Sequence, residues 1–273
     1  VPGAVTLIDI DSDGFTDRAY LGDTRANVYR VDFEDGSTSS GPSTWAITKL
    51  AALSVSSAER KFLFEPDVVV TKNTIAILIG SGDREKPLLG RMPYTGTDRT
   101  DTRDGLFTLF DPKRTKGAPT IAYPIRTVDL VTHGSYAVTE NPKGCFFPLP
   151  YSAIGEKVVN AGLTVAGRTL FSTNTPTVTT GSQCGNLGTA RTYAIPLFCG
   201  EVASTDLLNG GLPPTPVTGL VDLGGGVIQR FLIGGAPPTG GYTGSRSSIG
   251  ASKPAVAVDN TRRRTYWHPN RSR

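Results

Sequence analysis

Histidine, cysteine and long apolar runs are scarce in this chain, and each scarcity removes a class of function. With 2 His among 273 residues, imidazole-based hydrolysis and a His-rich metal centre have almost no material. His133 stands in a turn and His268 in a basic tail, contexts unrelated to each other, and both read as surface residues. No G-x-S-x-G elbow occurs, nor the G-x-x-x-x-G-K-[ST] loop that cradles nucleotide phosphates. The 3 Cys, Cys145, Cys184 and Cys199, show no C-x-x-C spacing for zinc or redox work and cannot all pair internally. Cys184 and Cys199 flank an expected hairpin and are the expected pair if a disulfide exists; three free thiols are the alternative. No apolar run approaches the roughly 20 residues of a membrane-spanning helix, and no signal peptide is evident. The chain opens on "VPGAVTLIDID" without a leader or an initiator Met, so a piece of a longer protein is expected.

What the chain has in quantity is glycine and proline, 32 and 20, scattered among β-branched residues. That profile fits many short strands joined by turns, hence an all-β class. Apolar runs bounded by Gly, Asp and Pro recur in three groups. The first is "AVTLIDI", "RAYLGD" and "NVYRVDF"; the second "PDVVV", "IAILIGSGD" and "GLFTLFD"; the third "KVVNAGLTVAG", "RTLFSTNTP" and "RTYAIPL". Repetition of a three- or four-stranded unit predicts a β-propeller, part of one, or a stacked β array, because each unit needs neighbours to bury its faces. "GPSTWAITKL" reads as an outer strand, "LVDLGGGVIQRFLIGG" as a late hairpin and "AVAVDN" as a last strand. Residues 235–253 read as a Gly/Ser/Pro-rich loop. A short helix is entertained only around "SSAERKFLF". Residues 1–273 are otherwise taken as one domain.

The formal charge of +4 and pI near 9.0 are mild. Basic residues concentrate only in the tail "RRRTYWHPNRSR", which reads as a solvated terminus, and nucleic-acid binding is not expected. "GSGDREKP" reads as a strand-ending turn whose Asp83, Arg84 and Glu85 pair locally or with a neighbouring unit.

One segment asks for an ion. In "DIDSDGFTD", carboxylates at Asp9, Asp11, Asp13 and Asp17 surround Gly14, and four like charges so close repel unless a cation sits among them. Asp9, Asp11 and Asp13 occupy positions one, three and five of an EF-hand-like loop. Gly14 at six permits the sharp turn, Phe15 offers its carbonyl at seven, and Asp17 stands at nine. Position twelve is Tyr20, where an EF-hand has a bidentate Glu. The flanks read as strands, so the expectation is a Ca2+ loop carried by a β-hairpin, with Asp17 closing the ligand set. Mg2+ is disfavoured because it demands strict octahedral geometry and keeps its waters.

The run "DIDSDGFTDRAYLGDTRANVYRVDF", followed in order by "FEPDVVVTKNTIAILIGSGDREKP", "DGLFTLFDP", "GEKVVNAGLTVAGRTLFSTNTP" and "CGNLGTARTYAIPL", closely resembles the C-terminal region of the PilY1 family of type IV pilus biogenesis factors and tip-associated adhesins. The resemblance implies a modified, quinoprotein-like β-propeller, exported by a Gram-negative cell to its surface and the pilus tip; with no nucleophile elbow and two histidines in unrelated contexts, catalysis is not expected. It implies contacts with minor pilins and with host or abiotic surfaces, in support of pilus extension, twitching motility and attachment. It also implies Ca2+ at Asp9, Asp11, Asp13, the Phe15 carbonyl and Asp17, with occupancy regulating extension against retraction. Cys145 departs from the family, which tends to an aromatic there, and no Arg-Gly-Asp tripeptide is present. Two other readings stay open: a calcium-stabilised lectin, and a quinoprotein-like enzyme, for which only Trp45 and Trp267 could stack on a cofactor.

Overall fold

The structure is a computed structural model that describes residues 1–33, 45–54, 60–85, 104–112, 122–135, 143–150, 155–177, 187–208, 210–224, 228–234 and 251–252. A first sheet is ordered β1 (Thr6–Ile8), β2 (Arg18–Gly22), β3 (Asn27–Asp32) and β4 (Ala46–Ala52), with the two-residue β8 (Ile125–Arg126) parallel to β4. The second contains β5 (Asp67–Val70), β6 (Thr74–Gly80), β7 (Gly105–Pro112) and β10 (Gly144–Pro148), edged by β9 (Val131–Thr132). In the third, β11 (Lys157–Val158) and β12 (Leu163–Val165) share one side of β13 (Arg168–Thr175), and β14 (Thr189–Pro196) and β15 (Ala203–Asp206) follow on the other. The fourth is β16 (Val217–Asp222), β17 (Ile228–Ile233) and β18 (Ala251–Ser252). Among the described residues a 3-10 turn, Thr127–Asp129, interrupts this all-β order.

Side chains of a strand alternate between faces, and the burial record follows that period. On β6, Ile75, Ile77 and Ile79 join Phe107 and Leu109 of β7 against Tyr20, Val28 and Leu50 of the first sheet. The intervening Ala76 and Leu78, with Leu106, face Phe171, Tyr193 and Ile195 of the third. Leu170 and Ala194, on the reverse of that sheet, meet Leu232 of the fourth. Four sheets therefore stack in chain order. The second, covered on both faces, needs the unbroken apolar run "TIAILIG", whereas β3, "NVYRVD", alternates between buried and half-buried positions.

The three strand groups predicted from sequence correspond to the first three sheets, and the late hairpin to β16–β17. Among the described residues no sheet closes on itself, so the all-β class holds while the sheets remain an open stack. Four expectations are corrected. Residues 60–64 are not helical, since Phe62 is packed into the first core and its N–H donates to the Asp23 carbonyl; residues 55–59 lie outside the described set. The disulfide joins Cys145 to Cys199, not Cys184 to Cys199; Cys184 lies outside the described residues. Backbone pairing supplies the reason: Gly134 N–H donates to the Cys199 carbonyl beside β10, bringing the corner after β14 to the edge of the second sheet. His133 is buried, not a surface residue, its ring between Thr108 Oγ1 (3.4 Å) and the Gly200 carbonyl (3.3 Å). The expected loop 235–253 contains strand residues Ala251–Ser252, paired with β17; residues 235–250 and the tail from 253, including "AVAVDN", Trp267 and His268, lie outside the described residues.

The "GSGD" turn packs at the junction of the second and third sheets. A Cβ on Gly82 would meet the Val158 backbone nitrogen at 2.7 Å, so glycine there lets β11 approach. Ser81 Oγ donates to the fully enclosed Asp104 carboxyl at 2.8 Å and receives the Gly105 N–H at 2.9 Å. Burial raises the Asp104 pKa to about 6, and burial lowers that of His133 to about 4. A carboxyl raised above its unfolded value weakens the fold as pH rises from about 4 to 6. A histidine depressed below its unfolded value strengthens it as pH rises from about 4 to 6.5. Each effect is on the order of 3 kcal/mol and they oppose one another.

Two outcomes follow for chemical denaturation measured across pH 4–7. Relative to the parent protein, Asp104→Asn is expected to make stability rise more with pH, and His133→Gln to make it rise less or fall. Replacing Cys145 and Cys199 together by Ser is expected to cost about 2–5 kcal/mol, and Cys184→Ser to leave the Cys145–Cys199 bridge intact by peptide mass mapping.

Candidate metal centre

The hairpin β1–β2 pairs Thr6 with Tyr20, Leu7 with Ala19 and Ile8 with Arg18, leaving residues 9–17 as its loop. The loop is closed at its base by Asp17 N–H donating to the Ile8 carbonyl (3.0 Å) and by Ile10 N–H donating to Asp17 Oδ2. Asp9 Oδ1 accepts from Ser12 N–H at 2.6 Å and its Oδ2 from Gly14 N–H at 2.9 Å. Asp11 Oδ1 accepts from Asp13 N–H at 3.2 Å, and Asp13 Oδ1 from Phe15 N–H at 2.8 Å. The fold-back this requires puts Gly14 at φ +95° and Ser12 at φ +66°, left-handed conformations that glycine adopts freely.

One carboxylate oxygen each from Asp9, Asp11 and Asp17 lies within 4.8 Å of the others. Asp13 is not in this group; its oxygen is turned to the Phe15 amide. The Phe15 side chain is 71% exposed. The Gly14 N–H holds the fully exposed Asp9 carboxyl below its ordinary pKa, and the acid stays ionised at neutral pH. An ion with Ca–O distances near 2.4 Å needs ligand oxygens no more than about 4.8 Å apart, and hard oxygen donors are what Ca2+ takes. The residues present fit such an ion. The neighbouring turn shows what a turn alone requires: Asp23 by itself accepts the N–H groups of Arg25 and Asn27 at 2.8 Å.

Behind the loop lies a charged group that no sequence motif marks. Arg18, next to Asp17, extends Nε to Asp32 (2.9 Å) and Nη1 to Asp111 (3.4 Å). Arg30 places Nε on Asp32 (3.0 Å) and Nη1 on Asp111 (2.8 Å). Tyr20 and Tyr123 each donate a hydroxyl to Asp111 at 2.7 Å. All four charged side chains are at most 5% exposed, and two cations balance two anions. Burial, reinforced by Asp111, raises both tyrosines, Tyr123 to about 12, so both remain donors. Burial opposes the charge of Arg30, but Asp111 and Asp32 outweigh it and raise its pKa. The signal was in the pattern: Arg18 and Tyr20 on β2, and Arg30 and Asp32 on β3, alternate at period two and share the face that meets Asp111 of β7.

The remaining candidates have structural roles. Asp83 pairs with Lys61, and Arg84 reaches the Val159 carbonyl (3.2 Å) and lies over the Phe64 ring, as expected of a turn that pairs with neighbouring units. Trp45 is half exposed, edge-on to Phe33. Among the described residues no helix is long and apolar enough to cross a membrane.

No protein-family model and no curated protein matches the chain. Among solved structures it is similar to the crystal structure of the Pseudomonas aeruginosa PilY1 C-terminal domain, with a TM-score of 0.58 and 16% sequence identity. The match covers 84% of this chain and 58% of that one, so the chain spans little over half its length. At this identity the likeness is one of fold.

Asp111→Ala would leave Arg18 and Arg30 facing each other across Asp32 with one counter-charge, and is expected to cost about 3–5 kcal/mol, read from urea denaturation.

Proposed function

We propose that this chain is a calcium-binding module of a type IV pilus-associated surface protein that acts through protein and surface contacts without catalysis. The observation that carries the metal reading is the convergence of Asp9, Asp11 and Asp17 within 4.8 Å on a loop whose backbone is already folded for it. In this reading Asp13 turns from the Phe15 amide and the Phe15 carbonyl completes the set. Ca2+ supplies the positive charge that four carboxylates lack, and the chain's own part is to hold β1 against β2 through Asp17. Pilus association rests on the fold likeness together with the ordered sequence resemblance. The corresponding partners are minor pilins and attachment surfaces outside the cell.

The stack also supports an incomplete β-propeller. A row of Leu7, Ala19, Val31 and Ile47 crosses the outer face of the first sheet, with Leu7 58% and Ile47 74% exposed. On the fourth sheet Val217 pairs with Ile233, also on the outward side. The first sheet thus presents an outward apolar row of the kind the inner sheets use to stack, as blades do.

Calorimetric titration with Ca2+ tests the metal reading. The parent protein is expected to bind one ion and to melt higher in Ca2+ than in chelator. Asp9→Asn and Asp13→Ala are each expected to weaken binding by about tenfold or more, near 1.4 kcal/mol. Absence of binding at millimolar Ca2+ would reject it. Ca2+-dependent retention of the chain on immobilised minor pilins tests the pilus reading.

A further inference from the structure

We propose that the buried group Arg18, Arg30, Asp32 and Asp111, with Tyr20 and Tyr123, conveys ion occupancy of the aspartate loop to the junction between the first and second sheets. This rests on the calcium reading of the loop and adds the route by which occupancy reaches the body of the protein.

The route is short and continuous. Asp17 is at once a member of the convergent carboxylates, the acceptor that closes the loop onto Ile10, and the residue before Arg18. Its N–H and carbonyl are both engaged in the sheet, the N–H to Ile8 and the carbonyl to Phe33 N–H at 2.9 Å. A shift of Asp17 toward or away from the other carboxylates therefore moves the first residue of β2 and the end of β3 together. Ile8 and Ile10, on the other arm, pack on the first core. Arg18 spans the two sheets, holding Asp32 of β3 and Asp111 of β7. Asp111 in turn has five donor contacts from Arg18, Arg30, Tyr20 and Tyr123. The group is neutral as a whole and nearly dry, so displacing one guanidinium leaves an unbalanced buried charge. An empty loop, with four mutually repelling carboxylates at the end of Arg18's own strand, loosens this group, and a filled one fixes it. Coupling of this kind is reciprocal, and a weakened group must bind the ion less well.

The test measures Ca2+ affinity and amide hydrogen exchange on the parent protein, Asp111→Asn and Tyr123→Phe, the last replacing one donor where the first fails to fold. Support consists of Ca2+-induced protection reaching residues 106–111 of β7, with affinity about 3- to 10-fold lower in either variant. The Cys145→Ser, Cys199→Ser double variant, destabilised at a different junction, must retain parental affinity; if it weakens equally, the effect is general loss of stability and the proposal fails. Binding by the parent with protection confined to residues 8–17 and unchanged affinity in the variants overturns the route and leaves the calcium site standing. No binding by the parent removes both.

Discussion

The second sheet is enclosed on both sides, and the rest of the molecule is arranged by that fact. Because Ile75, Ile77 and Ile79 face one neighbour while Ala76 and Leu78 face the other, β6 has no side on which a charge could meet water. Two buried carboxyls at this level answer the loss of water in different ways. Asp111, on β7, is surrounded by two guanidiniums and two hydroxyls, and Asp104, at the start of the same strand, keeps its proton to higher pH than an ordinary aspartate. The two ends of one strand thus show two solutions to the same desolvation: complete pairing in one case, retained protonation in the other.

The aspartate loop is the opposite environment. Its carboxylates are solvated and crowded, and its backbone is held by its own side chains at Ser12, Asp13, Gly14 and Phe15. Rigid inward geometry and an exposed surface meet at one residue, Asp17, whose amide and carbonyl belong to the sheet. Loop and core are therefore not separate systems joined by a tether. They share a strand, and the residue after the last loop carboxylate is already part of the charged core.

The elements easiest to read from sequence were those whose physics is local. Runs such as "TIAILIG" and "NVYRVD" declare their period and burial, and the carboxylate spacing of "DIDSDGFTD" marks the loop in which Asp9, Asp11 and Asp17 converge, so the strand groups and that cluster are legible in the sequence. What depends on residues distant in sequence is not. The pairing of Cys145 with Cys199 follows from the approach of two sheets through Gly134, and no spacing encodes it. His133 looked exposed because it stands in a turn, but the turn itself is covered by the corner at Gly200. Arg18 and Asp111 lie 93 positions apart; only the alternation of charge with aromatic residues hinted that a partner existed.

The bridge between Cys145 and Cys199 has a consequence for load. If the chain joins a filament to a surface, as proposed above, it is pulled along its length, and sheets unravel from their ends by surrendering contour length. The 54-residue separation closed by this bond encloses β11 to β14, so tension applied outside it passes through sulfur and not through those strands. About 180–190 Å of extended chain is thereby withheld from unravelling. The third sheet would keep most of its strands under a pull that had already peeled away the first.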